Sequence, residues 1–248
     1  MLRRYLTLPA PSLNRTLELL AFGHYGPPVL VFPSAGGRFY DFENNGMVDA
    51  VAPWLETGKV KLYCVDGIDH ESWLNTALSP AERAQRHNAY RDFIVNTVVP
   101  GIRRDCETPD IRIAVTGCSL GGYHAANFAL QYPHIFNYAL CLSGRYDIEA
   151  LCGRSDSLDV YFNNPLAYAY HLHGETLERI RRDTHLVLVV GQGAWEDKCL
   201  DEARRFAAIL AAKGISHELD IWGHDVEHHW YWWRKQIAYH FGKALGAP

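Results

Sequence analysis

The sequence lacks any C-x-x-C pair, any long apolar run and any internal repeat. Its six cysteines are scattered, so neither a zinc-binding nor a dithiol redox motif is indicated. No stretch reaches the length of a transmembrane helix, and the first residues lack the unbroken apolar segment of a signal peptide. We therefore expect a cytoplasmic protein that does not bind membranes.

An excess of charge of either sign is also absent. The chain carries 24 Lys and Arg against 28 Asp and Glu, giving a formal net charge of -4. The basic pairs are dispersed, which disfavours a nucleic-acid partner. With 248 residues and 48% hydrophobic content, the chain can bury a large core. We expect one domain over residues 1–248, with residues 144–184 as a small cap or insertion.

Short apolar runs alternate with helical patterns along the chain. The predicted strands are residues 14–22, 29–32, 60–65, 111–116, 138–142, 186–190 and 218–222. The predicted helices are residues 45–54, 80–99, 120–132, 200–213 and 229–245. This alternation predicts an α/β fold with a mostly parallel central sheet and helices on both faces. Ligands of such sheets bind at the carboxyl ends of the strands.

The segment Gly117-Cys118-Ser119-Leu120-Gly121 lies between a predicted strand and a predicted helix. A serine at the centre of such a tight turn is lifted above the sheet edge, as in the nucleophile elbow of hydrolases. Five residues of this pattern can occur by chance as an ordinary glycine-rich turn, but the flanking strand and helix favour the elbow. Ser119 is therefore the predicted nucleophile. An elbow centred on Cys118 would need glycines at positions 116 and 120, which are Thr and Leu.

An acyl-transfer site also needs amides that bind the oxyanion. The Leu120 amide would lie at the start of the helix that follows the nucleophile. A second amide should come from the loop after residues 29–32, where Ala35 and Gly36 are both candidates.

Serine needs a neighbouring base, which in this fold follows the last strand. That segment offers His224, His228 and His229. His224 and His228, together with Asp225 and Glu227, could instead hold a metal ion, but the alternating acids are more typical of a solvated loop. No metal site is predicted.

The acid that orients the base should follow the penultimate strand. Glu196 and Asp197 both occupy that segment, and one of them could merely cap the next helix.

These motifs resemble the esterase D-like branch of the α/β-hydrolases, which includes S-formylglutathione hydrolases, feruloyl esterases and mycolyltransferases. Residues 228–233, His-His-Trp-Tyr-Trp-Trp, resemble the branch's base motif and favour His228. Residues 197–200, Asp-Lys-Cys-Leu, resemble its acid motif and favour Asp197. The resemblance implies the α/β-hydrolase fold without a large lid domain, and a reaction that needs no cofactor.

Side chains near these motifs could line the substrate pocket, namely Ser72, Trp73, Tyr123 and Trp230. The tryptophans could equally serve to pack the loops together. The prediction is a serine esterase acting on a small-molecule ester. An acyltransferase with the same triad and a non-catalytic binding protein are the alternatives. The tryptophan-rich last helix also allows a homo-oligomer.

Overall fold

The computed structural model describes residues 1–248, with one sheet of eight strands flanked by helices. The strands are β1 (Arg3–Ala10), β2 (Arg15–Phe22), β3 (Pro28–Phe32), β4 (Lys61–Val65), β5 (Ile113–Cys118), β6 (Phe136–Leu142), β7 (His185–Val190) and β8 (His217–Ile221). The helices of the first half are α1 (Asp41–Asn44), α2 (Met47–Ala50), α3 (Ala52–Glu56), α4 (Pro80–Phe93), α5 (Val99–Asp105) and α6 (Leu120–Gln131). Those of the second half are α7 (Glu149–Cys152), α8 (Leu158–Tyr161), α9 (Pro165–Tyr168), α10 (Gly174–Asp183), α11 (Asp197–Ala212) and α12 (Trp230–Leu245).

The strand order is β1-β2-β4-β3-β5-β6-β7-β8. The pairings β1 with β2 and β2 with β4 are antiparallel, and all the others are parallel. The predicted mostly parallel sheet of an α/β-hydrolase fold is therefore confirmed. Because β3 and β5 to β8 are parallel, their carboxyl ends meet at one edge, and the loops carrying the predicted motifs leave from that edge.

Both faces of the sheet are covered by apolar side chains. Along β3, Val29 and Val31 pack into one core with α1, α2, α3 and α12, whereas Leu30 and Phe32 pack into the other with α4, α6 and α11. Alternate residues of a strand point to opposite faces, so a strand covered on both sides reads as a continuous apolar run. Full burial of each such side chain contributes roughly 1.5–3 kcal/mol.

The helix that starts at Ser79 extends further than the sequence predicts. Ser79 and Glu82 form a capping box at its start. The sequence predicts a helix over residues 80–99 that ends before Pro100, but a π-helical stretch over Ile94–Val98 leads into α5, which has Pro100 in its first turn. In the π-helical turn the Val99 amide donates to the Ile94 carbonyl, five residues back, and the helix continues past Pro100, which has no N–H to donate.

Two further segments differ from the sequence prediction. Residues 45–54 form no single helix, because Gly46 adopts a φ of +70° before α2 and Pro53 lies in the first turn of a separate helix, α3. The N-terminal strand β1 was not predicted, and its alternating burial identifies it as an edge strand. No helix of the structure combines the length and apolarity needed to cross a bilayer.

Candidate active site

Ser119 lies at the junction of β5 and α6 with φ +56° and ψ -119°. Residues other than glycine rarely adopt this region, and such strain costs on the order of 1–3 kcal/mol. A Cβ at Gly117 would lie 2.5 Å from the Gly121 carbonyl carbon, and one at Gly121 would lie 2.6 Å from the Pro33 oxygen. The turn is therefore the tight elbow expected from the sequence, and it needs both glycines.

His228 is the histidine that the structure brings to this serine. Its Nε2 lies 3.0 Å from Ser119 Oγ. His229 is exposed and caps α12 by accepting a hydrogen bond from the Tyr231 amide. His224 is exposed on the loop after β8. The alternative metal group of His224, His228, Asp225 and Glu227 is not assembled, and the nearby triplet that could bind a metal has a different composition.

Glu196, and not Asp197, faces the imidazole. The Glu196 side chain is 0% exposed, and its Oε1 lies 3.6 Å from His228 Nδ1. Asp197 is the exposed first residue of α11 and makes no side-chain hydrogen bond or ion pair. Successive residues at a helix start point about 100° apart, so only one of two adjacent carboxylates can turn inward. The preference for Asp197 that followed from the acid motif therefore disagrees with the geometry.

Two buried residues, Ser143 and Trp233, position the Glu196 carboxylate. Ser143 Oγ donates a hydrogen bond of 2.5 Å to Glu196 Oε1 and accepts one of 2.9 Å from Trp233 Nε1. The Trp233 ring also meets the His228 imidazole edge to face, with centroids 4.8 Å apart. The other carboxylate oxygen, Oε2, is buried without a partner. Ser143 follows β6 directly, at the edge of the sheet where the site lies, and the end of an apolar run in the sequence signals this position.

Cys199 contacts the same side of the imidazole. Its Sγ lies 3.8 Å from His228 Nδ1, and the side chain is 2% exposed. Burial raises the pKa of the Cys199 thiol, with the Glu196 carboxylate adding to the effect, so the thiol is protonated at neutral pH.

Backbone hydrogen bonds join the loop after β7 to the loop after β8. The Gly193 amide donates to the Val226 carbonyl over 2.8 Å, and the His228 amide donates to Ala194 over 3.0 Å. The segments that carry Glu196 and His228 are therefore fixed relative to each other by main-chain contacts, independently of those two side chains.

The amides of Leu120, Ala35 and Gly36 donate to no group within the protein. The loop that carries Ala35 and Gly36 is braced by Asp41, whose Oδ2 accepts hydrogen bonds from the Ser34 amide at 2.9 Å and from its hydroxyl at 2.8 Å. Free amides at the start of a helix and on an adjacent braced loop are suited to binding an oxyanion.

Three of the four predicted pocket residues are fully buried, since Ser72, Trp73 and Tyr123 are each 0% exposed. Trp73 packs against Tyr123 edge to face, with ring centroids 6.3 Å apart. Trp230 is half-buried and packs on Trp233. The structure therefore gives Ser72, Trp73 and Tyr123 a packing role beneath the site and leaves only Trp230 partly open to solvent.

A family model described as "Putative esterase" matches residues 15–244 of the chain. No curated protein matches the sequence. Among solved structures, a ferulic acid esterase is 16% identical with a TM-score of 0.77, covering 98% of this chain and 97% of its own. An S-formylglutathione hydrolase (FrmB) from Staphylococcus aureus is 14% identical with a TM-score of 0.72, also covering 98% and 97%.

The fluorophosphonate-binding serine hydrolase FphF of Staphylococcus aureus is 15% identical, covers 99% of both chains and has a TM-score of 0.73. At such identities the structural similarity establishes the fold, and the family match establishes the esterase family. The resemblance to the esterase D-like branch is thereby confirmed. The chain belongs to this esterase family and is an esterase with the α/β-hydrolase fold.

Proposed function

We propose that the protein is a serine carboxylic-ester hydrolase that works through an acyl-enzyme on the triad Ser119, His228 and Glu196. One observation carries this proposal: Ser119 Oγ lies 3.0 Å from His228 Nε2, while the buried Glu196 carboxylate stands on the opposite side of the ring. A serine becomes a strong nucleophile when a base beside it can take its proton.

In the first half of the reaction, Ser119 attacks the ester carbonyl while His228 takes the hydroxyl proton. The carbonyl oxygen becomes an oxyanion, which the amides of Leu120 and of Ala35 or Gly36 stabilise. The His228 imidazolium then lies beside the Glu196 carboxylate, which favours the charged ring and fixes its orientation.

In the second half, His228 gives its proton to the leaving alcohol, and the acyl group stays on Ser119. Water then attacks the acyl-enzyme with His228 again as base, which releases the acid and restores the serine. Every proton transfer uses Nε2 of the one imidazole, so the reaction depends on that nitrogen being unprotonated in the resting enzyme.

The substrate class follows from family membership and is supported by two structural relatives, which are named as a ferulic acid esterase and an S-formylglutathione hydrolase. We propose small-molecule esters as substrates. An alcohol in place of water would make the same acyl-enzyme a transferase, so product analysis with added alcohols accompanies the test below.

The test compares Ser119→Ala with Ser216→Ala, which removes an exposed hydroxyl at the start of β8, on the opposite edge of the sheet. We expect Ser119→Ala to lower kcat on p-nitrophenyl acetate by about 10⁴- to 10⁶-fold and to abolish labelling by a fluorophosphonate probe. Ser216→Ala should retain both. Undiminished turnover by Ser119→Ala would refute the proposal.

A further inference from the structure

The side of His228 that faces away from Ser119 presents three different ligand atoms in a small space. Glu196, Cys199 and His228 offer an oxygen, a sulfur and a nitrogen that all lie within 4.8 Å of one another. His228 Nδ1 lies 3.6 Å from Glu196 Oε1 and 3.8 Å from Cys199 Sγ. The first separation exceeds the roughly 2.7–3.2 Å of a good N–H···O hydrogen bond.

These separations suit a tetrahedral metal ion better than a hydrogen bond. Zinc binds sulfur at about 2.3 Å and nitrogen or oxygen at about 2.0–2.2 Å, so neighbouring ligand atoms around it lie about 3.3–3.6 Å apart. The separations of His228 Nδ1 from Glu196 Oε1 and from Cys199 Sγ exceed these values by only a few tenths of an ångström, on the order of the tolerance for such sites.

The Glu196 carboxylate has one oxygen without a partner. Its Oε1 accepts the hydrogen bond from Ser143, but Oε2 is buried and has no partner, although the side chain is 0% exposed. A buried carboxylate with an oxygen that has neither a donor nor a cation beside it is costly, and a divalent cation bound by this carboxylate would offset that cost.

We propose that Glu196, Cys199 and His228 form a binding site for Zn²⁺ or a similar borderline-soft divalent cation, and that occupation of this site inhibits the enzyme. On binding, the Cys199 S–H bond breaks, a sulfur–metal bond forms and the proton leaves to solvent. The thiolate and the carboxylate together balance the two positive charges, and the fourth position is open to water.

Inhibition follows from the tautomer of the base, and this step rests on the proposed function. A metal bound at Nδ1 holds the remaining ring proton at Nε2. Nε2 then donates to Ser119 Oγ and cannot accept its proton. The ion also occupies the place from which Glu196 would stabilise the imidazolium, so the base is disabled in two ways.

A second group of potential ligands, Glu218, Asp220 and His240, lacks these properties. His240 Nε2 already contacts Asp220 Oδ2 at 3.0 Å, which also accepts from Trp222, and Glu218 is paired with Lys243 at 2.6 Å. Because these partners use the ligand atoms, no metal site is proposed there.

The site is tested in metal-stripped Ser119→Ala protein, so that no turnover contributes to the signal. Titration with Cd²⁺ should produce the ultraviolet thiolate-to-metal charge-transfer band and saturate at one ion per chain. Adding Cys199→Ala should abolish the band. Adding Cys106→Ala should retain it, because Cys106 is the one cysteine that is not buried and controls for non-specific thiol binding. Glu196→Gln, which keeps the thiol, should weaken Cd²⁺ binding by about tenfold or more.

Inhibition by the bound metal ion is tested with the wild-type enzyme. Zn²⁺ should inhibit hydrolysis of p-nitrophenyl acetate, a chelator should restore it, and the inhibition of Cys199→Ala, measured against its own metal-free rate, should be lost. The site is refuted if the band is absent in Ser119→Ala or persists after Cys199→Ala. If no protein hydrolyses any ester, the proposed function fails, but the Cd²⁺ band still decides the metal site.

Discussion

Trp233 Nε1 donates a hydrogen bond of 2.9 Å to Ser143 Oγ, which links the final helix to the loop after β6 beneath the active site. The same hydroxyl donates to Glu196 Oε1 over 2.5 Å. The indole therefore fixes the serine, and the serine fixes the carboxylate that faces His228. The contacts run from the core to His228, so the orientation of Glu196 depends on two buried residues, Ser143 and Trp233.

Removal of the Ser143 hydroxyl should harm both activity and stability. Ser143→Ala leaves both Glu196 oxygens without a donor, which we expect to cost about 1–3 kcal/mol of unfolding free energy. If about 1.4 kcal/mol of that loss also raises the activation free energy of the reaction, kcat falls about tenfold with little change in KM. Urea unfolding and steady-state kinetics measure the two effects. Trp233→Phe, which keeps an aromatic ring but loses the N–H, should lower the unfolding free energy and kcat by smaller amounts. An unchanged kcat in Ser143→Ala and Trp233→Phe would contradict this chain of contacts.

The two adjacent carboxylates should differ sharply when each is neutralised. Glu196→Gln removes the charge that stabilises the imidazolium, and we expect kcat to fall by about 10³- to 10⁴-fold. Asp197→Asn alters an exposed residue in the first turn of α11, so its effect should be confined to about 0.3–1 kcal/mol of stability from the helix dipole. Kinetics on the matched pair decide between them. A larger loss in Asp197→Asn would return the role of acid to Asp197.

The elbow glycines should tolerate no side chain. Gly121→Ala would place a Cβ 2.6 Å from the Pro33 oxygen and 2.7 Å from the Phe32 oxygen, both of them backbone atoms that cannot move cheaply. We expect a loss of at least about 1–3 kcal/mol and a displaced oxyanion loop, with kcat reduced. Gly101→Ala is the matched control, because nothing lies within 4 Å of its added Cβ and it stands in α5. That change should stabilise the protein by up to about 1 kcal/mol. Thermal unfolding of the two variants compares them, and equal melting temperatures would argue against a tight elbow.

The sequence predicted most strands and helices of the sheet because their apolar runs are continuous and bounded by glycine or proline. It failed at β1, since an edge strand with one face in solvent carries only Leu6 and Leu8 as a weak alternating signal. It also failed at Pro100, where a preceding π-helical stretch keeps the chain helical in a way that no local pattern reveals.

The site was predicted unevenly for a similar reason. The backbone conformation at Ser119 depends on short-range steric contacts, which the flanking glycines in the sequence indicate directly. The choice between Glu196 and Asp197 depends on which side chain turns inward after Trp195, whose φ is +67°. Ser143 and Trp233 act from 53 and 37 residues away from Glu196, given the positions 143, 196 and 233 in the chain, and only the folded sheet brings them together.

Buried His87 should make the protein less stable in mild acid. It lies on α4 with both ring nitrogens unpartnered, and it stacks on His124 with centroids 5.3 Å apart. Burial, reinforced by the neighbouring His124 and Arg91, lowers the pKa of His87 well below its ordinary value of about 6.5. Below pH 6.5 the unfolded chain therefore binds a proton at His87 that the folded protein does not bind. The full unfolding free energy is present above that pH and declines as the pH drops through it. The slope is at most about 1.4 kcal/mol per pH unit for this one group.

Urea midpoints measured from pH 8 to pH 5 should decline in the wild type, with other buried histidines such as His240 adding to the trend. His87→Phe keeps an aromatic ring without a titrating group, and its decline should be shallower. Parallel curves for the two proteins would mean that His87 takes up its proton without unfolding the chain.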